Sequence, residues 1–322
     1  MSHIAETSVQ KTVFNENNIL KQELLEGLMA NEKYINPKFF YDEKGSQLFE
    51  KIMQLPEYYP SRTEIDLLNN YRAEISEAIG NNKVLIEPGA GNCQKVQSIL
   101  SSLKPECYIP IDISAEFLFE CAGNLQNKFP NIAVHAIADD MKSTVRVPEK
   151  FRHNDKVIFY PGSTIGNYTP SEALDFLKHA RSILGKGGGL LIGVDLQKDK
   201  SILHAAYNDQ EGVTARFNLN VLNHVNKLLD SEIDVELFEH VAFYNEEHCR
   251  VEMHLEIKED HYCEFNDVGS VKFSASERIH TEYSYKYTIE SFSQLAEKAG
   301  LKLKEYWVDD KNLFSIQYYA SV

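Results

Sequence analysis

The chain has 322 residues, 43% apolar and 25% charged, enough for one large or two ordinary domains with an ample core. Its net charge of −15 is spread without a long acidic run, which argues against a nucleic-acid partner, because phosphate-backbone binding needs clustered Lys and Arg. No apolar run approaches the ~20 residues of a membrane span, the first dozen residues show no signal pattern, and five cysteines without paired short spacings fit reduced thiols, so a cytoplasmic protein is expected.

In chain order, residues 18–30 read as an amphipathic helix with Ile19, Leu20, Leu24, Leu25, Leu28 and Met29 on one side. An aromatic stretch follows, and Ser61 and Glu64 have capping-box spacing, which predicts a helix start there. From residue 83 strand and helix alternate, with strands expected at 83–87, 107–113, 132–137, 156–160 and 189–196. Thr169-Pro170-Ser171-Glu172 opens a helix that Gly185 closes. Such alternation predicts an α/β fold with a parallel sheet and helices on both faces. A helix around 212–230 carries Phe217, Val221, Val225 and Leu228 on one face. Strands are then expected at about 235–244, 249–258, 271–275 and 278–288, a helix near 289–299, and an antiparallel closing hairpin at 301–308 and 314–320. Residues 1–80 and about 200–288 thus read as additions to a central domain.

Residues 84–94 (Val-Leu-Ile-Glu-Pro-Gly-Ala-Gly-Asn-Cys-Gln) form the motif of greatest chemical content. An apolar strand stops on Glu87 and enters a turn in which Gly89 and Gly91 can take backbone angles closed to other residues. Helical spacing at Val96, Ile99, Leu100 and Leu103 completes a strand, glycine turn and helix, the unit of a nucleotide-type cofactor site. A dinucleotide fingerprint would want a third glycine where Gln94 stands. The second strand ends on Asp112, about 20 residues on, where a ribose is usually gripped. The third ends on Asp139-Asp140, suited to an adenine amino group. Each acid alone is more often a loop cap or a solvated residue. Their joint position at successive strand ends favours S-adenosylmethionine.

Four further blocks carry a family resemblance: Phe39-Phe40-Tyr41-Asp42 with Gly45-Ser46 and Phe49; Leu55-Pro56-Glu57-Tyr58-Tyr59-Pro60-Ser61-Arg62-Thr63-Glu64; Gly162-Ser163-Thr164-Ile165-Gly166-Asn167; and Ile279-His280-Thr281-Glu282-Tyr283-Ser284. In this order, from about residue 20 onward, they resemble the histidine-specific Nα-methyltransferases, which make trimethylhistidine (hercynine) in the first step of ergothioneine synthesis. The resemblance implies a Rossmann-like class I methyltransferase sheet with an added α+β substrate-binding domain. Residues 1–80 and 201–288 would build that added domain, and 81–200 with 289–322 the cofactor-binding domain. It further implies that Glu87, Gly89, Gly91, Lys95, Asp112, Asp139, Asp140 and Gly162 bind S-adenosylmethionine. Tyr58, Asn167 and Tyr207 would hold the amino-acid end of L-histidine, Glu282 and Ser284 its imidazole, with Met253 as a wall. Tyr41 and Tyr58 would serve the amine during transfer. The chain departs from the family in carrying Ala90 and Asn92 where Ser or Thr is usual, and Asp140 where an aromatic is common.

The pairing has chemical sense. Glu282 and Ser284 are two apart on a strand and share a face, with His280 and Lys286 expected beside them and Tyr283, Tyr285 and Tyr287 opposite. Neutral imidazole has one N–H and one lone-pair nitrogen; a carboxylate accepts from the first and a hydroxyl donates to the second. Methyl transfer to an amine needs alignment more than a strong base. Without the resemblance, a plain solvent-facing strand side would be the better reading of this face. A same-family enzyme acting on another amino acid or amine, and a non-catalytic binding protein, remain as alternatives. His248, Cys249, His254, His261 and Cys263 lack zinc-like spacing, so no metal is expected. The expected partner is a small molecule, and the expected assembly a monomer.

Overall fold

The computed structural model describes residues 16–139, 145–265 and 269–322. The backbone divides into two compact units, one holding Pro60–Leu196 and Tyr287–Val322, the other the described residues 16–59 together with Gln197–Lys286.

Helices α1 (Glu16–Met29) and α2 (Glu43–Ile52) belong to the second unit. α1 buries Leu24 and Leu28, whereas Ile19 and Met29 of the expected stripe are exposed, so its buried face is narrower than the spacing implies. Asp42 caps α2 by accepting from the Gly45 N–H at 2.7 Å. A Cβ on Gly45 would stand 1.7 Å from the Phe40 carbonyl oxygen, which explains the glycine in that aromatic block.

α3 (Tyr59–Asn70) and α4 (Arg72–Ile79) lead into the first unit. α3 starts two residues before Ser61, so Ser61 is not its cap and the expected capping box does not open the helix. The sheet follows: β1 (Val84–Pro88), α5 (Gln97–Leu103), β2 (Cys107–Asp112), α6 (Ala115–Lys128), β3 (Ala133–Val134), β4 (Ile137–Ala138), β5 (Lys156–Tyr160), α7 (Pro170–Leu184) and β6 (Gly189–Asp195). The single third strand expected at 132–137 is two short pieces, each paired with β2. The α7 cap is as expected, with Thr169 and Glu172 bonded reciprocally and Gly185 at the other end.

Second-unit elements come next: α8 (Lys200–Tyr207), α9 (Val213–Leu229), β7 (Phe238–Asn245), β8 (Arg250–Ile257), β9 (His261–Phe265), β10 (Gly269–Phe273) and β11 (Arg278–Tyr285). The chain then returns to the first unit with α10 (Ile289–Lys298), β12 (Leu301–Val308) and β13 (Phe314–Ser321).

The large sheet runs β12-β13-β6-β5-β1-β2-β3, with β4 also on β2. All its pairings are parallel except those of β13 with β6 and β12, so the closing hairpin is as expected. β1 and β6 are buried at every position, as befits strands covered on both faces. β1 lies between β2 and β5, and the chain order reverses there. Open α/β sheets bind ligands outside the carboxyl ends of the strands at such a point.

In the second unit β11, β8 and β7 form an antiparallel sheet against which α9 packs. The alternation on β8 is as expected: Val251, Met253, Leu255 and Ile257 are buried. On β11 the register slips. His280 pairs with His254 but Glu282 pairs with Met253, which leaves Thr281 as a bulge residue. His280 therefore does not share the Glu282 face; it lies over Tyr283 at 3.8 Å between ring centroids and edge-on to His254. Arg250 stacks at 3.6 Å on Tyr283 and pairs with Glu252, so that face is locked by its own groups. β9 pairs with β10 in a hairpin the sequence did not announce. Among the described residues no helix is long and apolar enough to cross a membrane, and no three His, Cys, Asp or Glu side chains group as metal ligands.

Candidate active site

In the first unit the glycine turn follows β1 directly. Gly89 and Gly91 have φ of +65° and +51°, in the left-handed region that glycine enters at no steric cost. A Cβ on either would meet no protein atom within 4 Å, so the backbone here is open. Ala90 donates its N–H to the Ile111 carbonyl, and the Asn92 side chain accepts from the Gln94 N–H at 3.1 Å. Asn92 thus closes the turn locally.

Asp112, at the end of β2, accepts from the Gly91 N–H at 2.9 Å and from the Ser114 N–H at 3.0 Å. A carboxylate has about four acceptor positions, so two remain for diol hydroxyls. Asp139 follows β4, and its N–H donates to the Asp112 carbonyl at 3.1 Å. Asp140 lies outside the described residues.

Glu87 is 2% exposed at the carboxyl end of β1 and accepts from the Tyr108 hydroxyl. Burial raises its carboxyl to about 8, against the lowering effect of Tyr108 and Lys95; Glu64 and Asp112 add to the rise. At neutral pH Glu87 is therefore mostly a neutral acid.

Lys95 and Gly162 are brought together by a residue sequence reasoning missed. The fully buried carboxylate of Glu64 takes the Gly162 N–H at 2.7 and 2.9 Å and pairs with Lys95 Nζ at 2.6 Å. Gly162 has φ +87°, and a Cβ there would stand 3.1 Å from Lys95 Nζ. Gly193 on β6 makes room from the other side, since its Cβ would fall 2.0 Å from Glu64 Oε1. Asn167 ends the short helical turn Thr164–Asn167 a few residues on.

In the second unit, Tyr207 at the end of α8 joins Ser284 on β11, with 2.7 Å between hydroxyl oxygens. Lys286 Nζ donates to Ser284 Oγ at 2.7 Å and to the Tyr207 hydroxyl at 3.2 Å. Tyr207, Ser284 and Lys286 are all buried. Lys286 lies on this face as its period-two spacing from Ser284 predicts, but sequence reasoning gave it no role in the site. Glu282, the cross-strand neighbour of Met253, has its carboxyl raised to about 7 by burial, with Lys286 pulling the other way. Met253 is buried in the same sheet.

Tyr41 and Tyr58 both set their rings edge-on to Phe49, at 5.6 and 6.2 Å between centroids. Tyr41 is 45% exposed, yet crowding at its hydroxyl, then Glu282 and Tyr207, raise the phenol well above its usual value. Tyr59 is buried and accepts from Lys198 Nζ at 2.6 Å, a packing role. Of the three residues expected at the amino-acid end of the substrate, Tyr58 and Tyr207 belong to the second unit and Asn167 to the first.

Comparison with known proteins identifies the family. A family model described as histidine-specific methyltransferase, S-adenosylmethionine-dependent, matches residues 20–321. A histidine N-alpha-methyltransferase of Mycolicibacterium smegmatis is 36% identical over 303 residues, 92% of this chain and 93% of that protein. One from Mycobacterium tuberculosis is 33% identical, covering 94% of each chain. Ergothioneine biosynthesis protein 1 of Neurospora crassa is 32% identical over 83% of this chain and 31% of that longer protein. A match running nearly end to end, with relatives this similar over nearly their whole length, makes the chain a member of the S-adenosylmethionine-dependent histidine-specific methyltransferase family.

Proposed function

We propose that this protein methylates the α-amino group of L-histidine, up to three times, to give trimethylhistidine for ergothioneine synthesis. The observation that carries the reading is the set of polar groups on one face of β11: an acceptor, Glu282, and a hydroxyl, Ser284, two residues apart and beside a buried methionine. A neutral imidazole offers the complementary N–H and lone pair. Sites of this kind reject analogues lacking those groups, because buried polar partners would go unpaired.

The first unit's residues fit S-adenosylmethionine. Asp112 keeps acceptor positions for a ribose, the Gly89–Gly91 backbone is open, and Lys95, already paired with Glu64, has further N–H donors for a carboxylate. Glu87, Asp139, Asp140 and Gly162 complete the proposed set. When bound, that cofactor supplies an electrophilic methyl on a sulfonium. The protein's part is to orient and to handle a proton. Tyr58 and Asn167 bind the amino-acid end, where Tyr207, its proton given to Ser284, offers only its oxygen to the amine; Met253 walls the ring, and Tyr41 and Tyr58 receive hydrogen bonds from the amine. A phenol as hard to ionise as Tyr41 stays protonated, so it steers the amine rather than acting as a strong base. We take the enzyme to be a cytoplasmic monomer.

Incubating the purified chain with S-adenosylmethionine and the twenty amino acids tests this. Histidine alone should gain one to three methyl groups by mass spectrometry. Methylation of another amino acid would move the reading to a sister activity; relatives about 26% identical include 4-dimethylallyltryptophan N-methyltransferases of Claviceps purpurea. No methylation at all would favour a binding protein.

A further inference from the structure

We propose that Lys286 sets the ring specificity of the pocket by making Ser284 a hydrogen-bond donor only. The proposal rests on histidine being the acceptor.

An ammonium has three N–H donors and nothing with which to accept. Lys286 Nζ, Ser284 Oγ and the Tyr207 hydroxyl form a closed triangle of 2.7, 2.7 and 3.2 Å, so the ammonium donates to both oxygens. Between the two hydroxyls one proton must point along the shared edge. The phenol is much the stronger acid, so Tyr207 donates and Ser284 accepts. Both serine lone pairs are then taken, one by Lys286 and one by Tyr207. Its single proton has to leave the triangle.

A serine in that state can meet a lone pair but repels another donor. Glu282, two residues away on the same face, is the complementary acceptor, and Lys286 offsets its charge. The neutral ring of histidine satisfies both. A protonated ring presents two N–H donors and would leave one against the serine proton. A pyrrole ring, with C–H in place of the lone-pair nitrogen, would leave the serine proton unpaired. Lys286 therefore acts through Ser284 as a positioning residue.

Dissociation constants of L-histidine and of the two pyrrolylalanine isomers, taken with the demethylated cofactor present, provide the test. The wild type should prefer histidine over either pyrrolylalanine by about a hundredfold. Lys286→Met frees a serine lone pair and lets the hydroxyl turn, so the preference should shrink about tenfold or more. Lys286→Arg keeps N–H donors with no acceptor and should hold the preference within about threefold of wild type. A purely structural role would weaken all ligands alike, and an unchanged ratio in Lys286→Met overturns the proposal. Should Lys286→Met fail to fold by thermal melting, the ratio is read in Lys286→Leu, which likewise has no donor, and an unchanged value there is equally fatal. Failure of the wild type to bind and methylate histidine would instead sink the functional reading, before any variant is made.

Discussion

At the scale of single residues, the buried carboxyls set how the protein responds to pH. Glu282 must be ionised to accept well from an imidazole N–H, and its carboxyl titrates at about 7. Histidine use should therefore rise with pH through about 7. Glu282→Gln should remove that contribution and leave only the substrate's own titrations, with kcat/KM about ten- to a hundredfold lower, the usual cost of a charge-assisted bond. Glu282→Ala should weaken histidine far more than S-adenosylmethionine in calorimetry; equal losses would refute its role. Glu64 presents a different case, since it serves two partners at once while wholly buried. Glu64→Ala strands the Gly162 N–H and Lys95, and urea unfolding should show about 3–5 kcal/mol lost. Glu64→Gln, which still accepts from Gly162, should lose less than half of that.

Elements show which parts of the molecule the sequence could announce. The α/β alternation after residue 83 and the α7 cap follow from local chemistry, apolar period and capping residues, and both stand in the structure as expected. Glu64 could not be read this way: its spacing from Ser61 satisfies a local rule, but the start of α3 lies elsewhere and its carboxylate is claimed by Gly162, 98 residues on. The Thr281 bulge is likewise silent in a pattern read with a strict period of two. It moves His280 to the Tyr283 face, while Glu282 and Ser284, both beyond the bulge, keep the shared face expected of them. β9 was missed because only Cys263 and Phe265 of its five residues are buried, too short an alternation to stand out. A single position tests how tightly an element is specified. Gly45→Ala drives a Cβ into the Phe40 carbonyl, a backbone atom that cannot step aside. It should cost about 3 kcal/mol or more in a thermal or urea melt and disturb the neighbouring Tyr41.

For the whole molecule, two buried acids raised in the folded state pull stability in one direction. Glu87 and Glu282 hold their protons to about 8 and 7, above the ordinary 4.5. Between those limits the native state binds more protons than the unfolded chain, so this contribution is full below about 4.5 and is lost as pH rises to 8. These two acids push the melting temperature down over that span in the free enzyme, while His280, His254 and His240, which burial disfavours in their protonated form, push it up over the lower part of it. Glu87→Gln, whose amide oxygen can still take the Tyr108 hydroxyl, should flatten the fall by up to about 4 kcal/mol at pH 8; an unchanged slope would show that Glu87 ionises normally. The strand order has a consequence for how the chain reaches this state. β13 sits between β6 and β12, and Phe314 pairs with Asp195 across the entire Gln197–Lys286 insertion. As the chain leaves the ribosome, β6 is complete while β13 is not yet made, and the backbone N–H and C=O groups of that edge stay unpaired until the insertion and the closing hairpin have been synthesised. Such long-range pairing is slow and exposes sticky surface. The order of synthesis and the order of the sheet disagree, and the interval between them is when this protein is most open to aggregation.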